Sequence, residues 1–468
     1  MWQIFQLIFR VSIFWLCINI VHILLTKYLG ERYNFYLSRN GIFVKFSQIQ
    51  WHTDRFNSAP NQEFVRRHSS KIAAWFSCGA YFGIIIMFSS IIILMYTLIA
   101  SFTEGTEDSK ILTPVVPGVN LPNNQILPYL LTLLISGVFH EFGHALAAAR
   151  EGVSMYGSGL FLFLIYPAAF VDLNTAALKR CDAFQRLRIF CAGVWHNCIM
   201  MVAAYVLWSA LPVLLFVVGY VKEHAVTITS VEHGSALMNQ VFPGTKVYSI
   251  NDCIVTDKVA WSQCLWQMYS DIPPGHCINQ TLLSQLSSVV DCCEDEVISP
   301  KNMCFQSSEM GACLPARKVL NLFPCGTDTD CSISGSCYKH HPNEGHLLQI
   351  LHSSSNRKAL FIGDPAHLYY SISVSDYSSK YFWNDLPNYT ELFLIYVVSL
   401  SGALAIFNAV PAFYLDGQHM LNACMELMFD GCYFISREMV CFIIQIFSTT
   451  LVVANIINAF ISVCVLYR

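Results

Sequence analysis

Two histidines and a glutamate lie close together in residues 140–144, which have the sequence HEFGH. On a helix, residues four positions apart share one face, so His140 and His144 can both reach a single metal ion. Glu141 lies beside them, where its carboxylate can accept a proton from water that a metal ion has made acidic. The spacing therefore predicts a zinc hydrolase site with two histidine ligands and a glutamate as general base.

The same pattern also occurs by chance on solvated helices, which is the competing interpretation. The position in the chain argues against chance, because the motif lies at the end of an uncharged stretch, residues 112–139. An ionisable residue inside a membrane span is energetically costly and marks a functional site by default. We therefore expect metal chemistry at this motif.

A catalytic zinc site usually has three protein ligands and one open position, so a third side chain is needed. The strongest candidate is Asp416, which follows another uncharged run, 392–415. Asp172 is the rival carboxylate, although an acid in its position is also typical of a helix N-terminus or a hairpin end. His196 and His419 are weaker candidates, because each is more typical of a polar residue at a membrane interface.

The composition indicates which solvent surrounds these residues. Only 12% of the 468 residues are charged, against about 25% in ordinary globular proteins, and 54% are hydrophobic. A soluble protein of this size cannot cover its surface with so few charges, and a net charge of -4 provides no basic surface for nucleic acid. We therefore predict a polytopic α-helical membrane protein that is solvated by the lipid bilayer and has no nucleic-acid partner.

Six apolar stretches are long enough to cross the hydrocarbon core of a bilayer, which takes about 20 residues. They are 2–26, 72–101, the second half of 112–139, 189–221, 392–415 and 439–467. The first stretch lacks the small-residue cleavage site of a signal peptide, so an uncleaved helix is expected. A seventh uncharged run, 152–171, is interrupted by glycine and proline. It predicts a re-entrant or hairpin element that is buried in protein or lines a wet cavity.

These stretches divide the chain into four parts. Residues 1–101 contain two transmembrane helices with a basic connection, 126–221 the first half of a membrane core with HExxH, 222–391 a large insertion, and 392–468 the second half with Asp416 and a final helix. Lys and Arg favour cytosolic loops, and they concentrate at 26–71 and 150–188. We therefore expect these two connections on the cytosolic side, and the insertion and both termini on the luminal or extracellular side.

The insertion contains more than half of the 19 cysteines. An even cluster in polar, loop-rich sequence predicts a disulfide framework, which requires an oxidising compartment. A zinc ribbon is the alternative, but the CxxC pairs that it needs are absent. Sequons at Asn279 and Asn388 are glycosylatable in the same compartment. The clustered cysteines are Cys253, Cys264, Cys277, Cys292, Cys293, Cys304, Cys313, Cys325, Cys331 and Cys337.

Short alternating runs on both sides of these cysteines predict β-strands. They lie at 225–229, 246–250, 359–362 and 368–374. This order favours one small β-rich domain that is interrupted by a cysteine-rich insert at about 275–345. No internal repeat is visible in the sequence.

Together these features resemble the site-2 proteases, a family of intramembrane zinc metalloproteases, over about residues 70–468. The resemblance rests on HEFGH at 140–144, NAVPAFYLDG at 408–417, GVWHN at 193–197 and the interrupted luminal domain. It implies that this domain is PDZ-like and that each chain binds one Zn²⁺. It also implies roles for five side chains: His140, His144 and Asp416 as zinc ligands, Glu141 as catalytic base, and Asn197 in positioning substrate.

The resemblance further implies a metalloendopeptidase that cuts within or near the transmembrane helix of membrane-tethered transcription factors, of the sterol-regulatory or stress-response type. An upstream luminal protease cuts these substrates first, and the second cleavage releases the cytosolic domain. Such a protein is expected in the Golgi or endoplasmic reticulum membrane, with its active site toward the cytosol. Its luminal domain is expected to exclude bulky intact substrates.

The residues alone are also compatible with two other functions. A polytopic metal-ion transporter places His and Asp within its spans as well, but internal repeats or acids in several spans are expected of it. A catalytically inactive membrane binding protein can retain the same fold, although the intact HExxH motif and Asp416 argue against it. Zinc-dependent cleavage distinguishes the three functions.

Overall fold

The chain folds into two compact units in the computed structural model. The first unit comprises Met1–Ser209 and Leu392–Arg468, and the second comprises Ala210–Glu391. The structure describes residues 2–55, 57, 62–103, 121–122, 125–232, 234–269, 274–287, 303–308, 310–331, 335–340, 346–353, 358–429 and 436–466.

Within these described residues, six helices are long and apolar enough to cross a membrane, which confirms the predicted number of spans. Helices suit a lipid solvent because each satisfies its backbone hydrogen bonds internally. The six are α1 (Trp2–Leu29), α4 (Ser69–Thr103), α5 (Ile126–Arg150), α7 (Ala183–Val218), α12 (Leu386–Ala409) and α14 (Arg437–Leu466). Shorter helices of the first unit are α2 (Glu31–Arg39), α3 (Gln62–Arg67), α6 (Thr175–Leu178) and α13 (Asp416–Met428).

The core between helices α4, α7, α12, α13 and α14 is built largely from small and sulfur-containing side chains. Small residues allow helix backbones to approach closely in a membrane, where van der Waals packing holds the helices together. The buried residues of this core include Ala80, Met87, Cys191, Val194, Cys198, Ala405, Ala409, Met420, Ala423 and Cys441.

One buried carboxylate fixes the end of α5 against its neighbours. Glu151, directly after α5, has only 1% of its side chain exposed and accepts hydrogen bonds from Arg150 at 2.8 Å and Arg188 of α7 at 3.0 Å. Arg188 also donates to Ser77 of α4 at 3.0 Å. A charge buried this deeply requires such partners, and they connect α4, α5 and α7.

A four-stranded antiparallel sheet lies in the first unit. Its strands, in spatial order, are β1 (Ile42–Lys45), β2 (Gln48–Thr53), β3 (Met155–Phe163) and β4 (Tyr166–Leu173). The uncharged run 152–171 therefore forms a strand hairpin. Strand β4 is an edge strand of this sheet and packs beside α5.

The sequence did not predict strands β1 and β2. The glycines of the run 152–171 look like chain breakers, but Gly159 marks the place where β2 approaches β3. A β-carbon on Gly159 would overlap the carbonyl oxygen of Trp51 in β2. Glycine inside a strand often indicates close approach of another backbone. The hairpin therefore pairs with a second hairpin from the basic connection 26–71.

The second unit contains a sheet in the order β14-β13-β6-β5-β15, with β7 paired to β6. Its buried core includes Val226, Val247, Trp261, Leu348, Phe361 and Ile372. The strands are β5 (Val221–Val231), β6 (Lys246–Ile250), β7 (Cys253–Ile254), β13 (His346–His352), β14 (Ala359–Gly363) and β15 (Ile372–Ser378), and the helices are α8 (Lys258–Gln267) and α11 (Pro365–Ser371).

The strand predicted at 368–374 is wrong over its first half, which belongs to α11. Asp364 precedes this helix and accepts a hydrogen bond from Ala366 N at 2.8 Å. Pro365 occupies the first helical position, where its fixed φ angle favours a helix start. These two signals outweigh the β-propensity of the aromatic residues that follow, and strand β15 begins only at Ile372.

The cysteine-rich insert forms a separate sheet in the order β10-β9-β12-β8-β11. Its strands are β8 (Gly275–Asn279), β9 (Met303–Gln306), β10 (Gly311–Leu314), β11 (Pro324–Cys325) and β12 (Gly335–His340), with helices α9 (Gln280–Leu286) and α10 (Ala316–Val319).

The described cysteines of the cluster form disulfides, as the sequence predicts. Cys277–Cys331 and Cys325–Cys337 connect strands and loops of the insert, and Cys253–Cys264 connects β7 to α8. Cys304 and Cys313 are also disulfide-bonded. Cys292 and Cys293 lie outside the described residues.

Side chains cover the backbone of edge strand β14. Gln240 pairs with Leu360 in two hydrogen bonds, accepting from Leu360 N at 2.9 Å and donating to Leu360 O at 2.8 Å. Arg317 of the insert donates to Gln240 Oε1 at 2.5 Å and to Lys358 O at 3.3 Å. Gln240 therefore occupies both backbone groups of Leu360 in this strand, and Arg317 occupies the carbonyl oxygen of Lys358, which directly precedes it.

Candidate active site

Helix α5 brings His140 and His144 together. Both side chains are buried, and their rings meet edge to face with centroids 4.8 Å apart. Their Nε2 atoms are 3.2 Å apart. This is the geometry expected of residues i and i+4 on one helix face.

Asp416 approaches the pair from the other end of the chain. Helix α12 ends at Ala409, a short loop follows, and Asp416 is the first residue of α13. Its Oδ2 atom lies 2.9 Å from His140 Nε2 and 3.1 Å from His144 Nε2. In the loop, Tyr414 has a positive φ of 67° and is 99% exposed. A tyrosine in this conformation is strained, and such residues cluster at functional sites.

The three donor atoms fit one zinc ion. Tetrahedral coordination with bonds of about 2.0–2.1 Å requires ligand atoms about 3.3 Å apart. The three distances between His140 Nε2, His144 Nε2 and Asp416 Oδ2 are 2.9, 3.1 and 3.2 Å. These residues are a group that could hold a metal ion, and two imidazoles with one carboxylate are a donor set typical of catalytic zinc.

One face of helix α7 forms a wall against both histidines. Three residues spaced four apart on this helix contribute. The carbonyl oxygen of Ile189 lies 2.8 Å from His144 Nδ1, and Asn197 Nδ2 lies 3.1 Å from His140 Nδ1. Between them, a β-carbon on Gly193 would lie 2.5 Å from His140 Nε2 and would also overlap His144 Nε2. Gly193 therefore leaves the room in which the donor atoms converge.

Glu141 lies next to the three candidate metal ligands but is not one of them. It accepts a hydrogen bond from the backbone N–H of Val171 in β4. The edge strand of the sheet and the HExxH helix are therefore in direct contact at this carboxylate. A carboxylate that is fixed in this way keeps its orientation relative to the two histidines.

The other sequence candidates lie outside the group. Asp172 is exposed near the end of β4. His419 is exposed and stacks on Phe190, with ring centroids 4.9 Å apart. His196 is buried, and its Nδ1 lies 2.9 Å from Ala192 O. The structure thus brings Asp416, and not Asp172, to the histidines.

Asn197, which the resemblance to site-2 proteases associates with substrate, is fully buried against His140. The contributions of Ile189, Gly193 and Val171 were not predicted. The GVWHN stretch gave a signal for the second half of this wall, because its first and last residues, Gly193 and Asn197, are four apart and share a helix face. No local signal in the sequence pointed to the carbonyl of Ile189 or the N–H of Val171.

Six membrane-length helices, and a group of two buried histidines and one partly exposed carboxylate that could hold a metal ion, define a polytopic membrane protein with a metallopeptidase-type site. The model of peptidase family M50 matches residues 128–453, and the chain belongs to this family. It is also similar to the membrane-bound transcription factor site-2 protease homolog of Arabidopsis thaliana. The two are 25% identical over 425 residues, which cover 77% of this chain and 82% of that protein. The predicted resemblance to site-2 proteases is confirmed.

Proposed function

We propose that this protein is an intramembrane zinc metalloendopeptidase in which His140, His144 and Asp416 hold one Zn²⁺ and Glu141 is the catalytic base. The observation that carries the proposal is the triangle of three donor atoms, 2.9 to 3.2 Å apart, with Glu141 one residue from a ligand. Membership of family M50 supports the same function.

Each side chain has a separate task in the proposed mechanism. When bound, the ion supplies a Lewis acid that polarises a carbonyl and makes water acidic near pH 7. Glu141 accepts the proton of the attacking water and returns it to the leaving amine. The backbone of Val171 holds the Glu141 carboxylate in place through its N–H.

A substrate helix has to be locally extended before it can be cut. Its peptide bonds are hydrogen-bonded within the helix and shielded from water. We propose that the hairpin of 152–171 is re-entrant and that an extended substrate segment adds to edge strand β4. The contact of Glu141 with Val171 supports this edge, because a strand bound there lies beside the base. Gly137 of α5 supports it as well, because its position is close to the backbone nitrogen of Ala169.

The proposed substrates are membrane-tethered transcription factors that another protease has already cut on the luminal side. The name of the Arabidopsis thaliana relative supports this class. We further propose that the second unit is a PDZ-like luminal domain which excludes bulky intact substrates. In this arrangement the active site lies toward the cytosol, in a membrane of the Golgi or endoplasmic reticulum.

The decisive experiment compares wild type with Glu141→Gln in liposomes, using a single-span substrate whose luminal part has been removed. Wild type should cleave it, and cleavage should stop after zinc chelation and return after zinc is restored. Glu141→Gln should retain zinc and cleave about 10²–10⁴-fold more slowly, the usual contribution of a general base. Full turnover by this variant would refute the assignment of the base. Wild type that moves zinc into the liposomes without cleaving substrate would favour a transporter.

A further inference from the structure

We infer that Asn197 is a positioning residue for the metal centre, which orients His140 so that its Nε2 lone pair faces the ion. This inference rests on the proposed function and assigns Asn197 a role other than substrate contact. It starts from the fact that Asn197 is completely buried, with its amide 3.1 Å from His140 Nδ1.

The two histidines need partners for their outer nitrogens. A metal-binding histidine usually donates its second ring N–H to a carbonyl, a carboxylate or a water, and this bond fixes the tautomer and the ring orientation. His144 has such a partner, because its Nδ1 lies 2.8 Å from the carbonyl oxygen of Ile189. The corresponding partner of His140 is Asn197, two helical turns further along the same face of α7.

The side-chain amide of Asn197 can form a hydrogen bond with His140 Nδ1 in two orientations. With Nδ2 toward the ring, Asn197 donates to His140 Nδ1, so the ring proton is on Nε2 and points to Asp416 Oδ2, 2.9 Å away. After a 180° rotation, Asn197 Oδ1 accepts the proton of Nδ1, and the lone pair of Nε2 faces the site. Only the second orientation allows His140 to bind a metal ion, because Nε2 must be unprotonated.

The side-chain oxygen of Asn197 is available for the rotated orientation. Asn197 Oδ1 is buried and has no hydrogen-bond partner among the described residues. Rotation of the amide pairs this oxygen with the Nδ1–H of His140 in exchange for the bond that Nδ2 makes in the first orientation. The unprotonated Nε2 that a metal ion requires then selects the rotated orientation. The amide oxygen and nitrogen of asparagine have nearly the same shape, so the rotation requires no repacking.

Complete burial also argues against direct contact with substrate. Asn197 is 0% exposed and lies behind the ring of His140, on the side opposite to the atoms that converge with Asp416. A side chain in this position acts on the reaction through the histidine.

The test measures zinc affinity, not activity, by competition with a chelator on the full-length protein in detergent. Asn197→Ala removes the acceptor and should weaken zinc binding about 10–100-fold, the usual effect of losing such a partner. Asn197→Asp keeps an acceptor oxygen and should bind zinc at least as tightly as wild type. Ser136→Ala is the matched control, because Ser136 is a buried polar residue of α5 that pairs with Ser401 at 3.1 Å. This control should retain the wild-type affinity.

Each result has a separate meaning. Wild-type affinity in Asn197→Ala would overturn the positioning role while leaving the proposed function intact. Equal loss in the Ala and Asp variants would also overturn it, because packing and not the acceptor would then matter. A wild-type protein that binds no zinc would overturn both. The visible spectrum of Co²⁺-loaded protein provides a second readout, and it should change in Asn197→Ala and not in Ser136→Ala.

Discussion

A β-carbon on Gly193 would lie 2.5 Å from His140 Nε2, inside the space where the three candidate ligands converge. His140 and the neighbouring His144 are both buried side chains of α5, so neither can move away easily. Glycine at this position is therefore a requirement of the site and not only of helix packing.

Gly193→Ala should abolish stoichiometric zinc binding while the helices stay folded, because the new methyl group competes with the ion for space. Zinc content after size-exclusion chromatography is the measurement. Gly402→Ala is the control, since its β-carbon would meet the flexible side chain of Met201, with Sδ nearest at 2.9 Å. Normal zinc content in Gly193→Ala would contradict the position that we assign to the ion.

Asp416→Asn should lower zinc content and reduce cleavage at least as far as Glu141→Gln does, because a neutral amide is a poor substitute for a carboxylate ligand. The comparison variant is Asp172→Asn, which changes the rival carboxylate. Asp172 is exposed and outside the donor triangle, so zinc content and cleavage should remain at the wild-type level. Loss of zinc and cleavage in Asp172→Asn but not in Asp416→Asn would identify Asp172 as the third ligand.

Of the two sequons, we expect a glycan at Asn279 and not at Asn388. The Nδ2 atom of Asn388, to which a glycan would be attached, donates to Val374 O at 3.0 Å and to Asp385 Oδ1 at 3.2 Å. Asn279 is exposed at the start of α9, where its Oδ1 accepts a hydrogen bond from Leu282 N.

Substitution of the sequon threonines tests this prediction without changing either asparagine. Thr281→Ala should remove the mobility shift caused by endoglycosidase, and Thr390→Ala should leave it unchanged. Loss of the shift only in Thr390→Ala would refute the assignment and would mean that Asn388 is accessible during folding.

The insert should lose stability as the pH falls. Burial lowers the pKa of His276 in β8, although a hydrogen bond to Leu322 O partly opposes this. The unfolded chain therefore takes up a proton more readily than the folded insert. The stability is complete above the ordinary histidine pKa of about 6.5 and decreases as the pH falls below it.

Hydrogen exchange of β8 and β12 between pH 7.5 and 5.5 measures this effect. His276→Gln should reduce the pH dependence, because a glutamine does not titrate. His224→Gln, at an exposed position of β5, should leave it as in wild type. An unchanged profile in His276→Gln would show that another group is responsible.

The site residues differ in how far the sequence predicts them. His140 and His144 follow from local helical spacing, and the apolar surroundings distinguish them from a chance motif. Asp416 lies 272 residues beyond His144, and it was identified only because it follows an uncharged run and the resemblance supports it. The contact of Asn197 with His140 could not be predicted, because α7 is apolar on nearly all sides and its sequence does not indicate which side faces α5.

The same limit applies to the first sheet. Strand alternation indicates the hairpin of 152–171 only weakly, since three glycines and a proline interrupt it. Its partner strands lie about 100 residues earlier, in a basic connection. Pairing between β2 and β3 depends on close approach at Gly159, which is a property of two distant segments together. Long-range pairing of this kind has no signature in either segment alone.

The side chains that cover part of β14 also affect how this edge strand can pair with other chains. An exposed edge strand is a template on which unfolded or partly folded chains can add and aggregate. Because Gln240 and Arg317 already bind the outward groups of Leu360 and Lys358, β14 offers no such template along that stretch. Arg317 belongs to the insert, so the disulfide-stabilised fold also shields its neighbour from unwanted strand exchange. A chain that added to β14 at this stretch would first have to displace the side chains of Gln240 and Arg317.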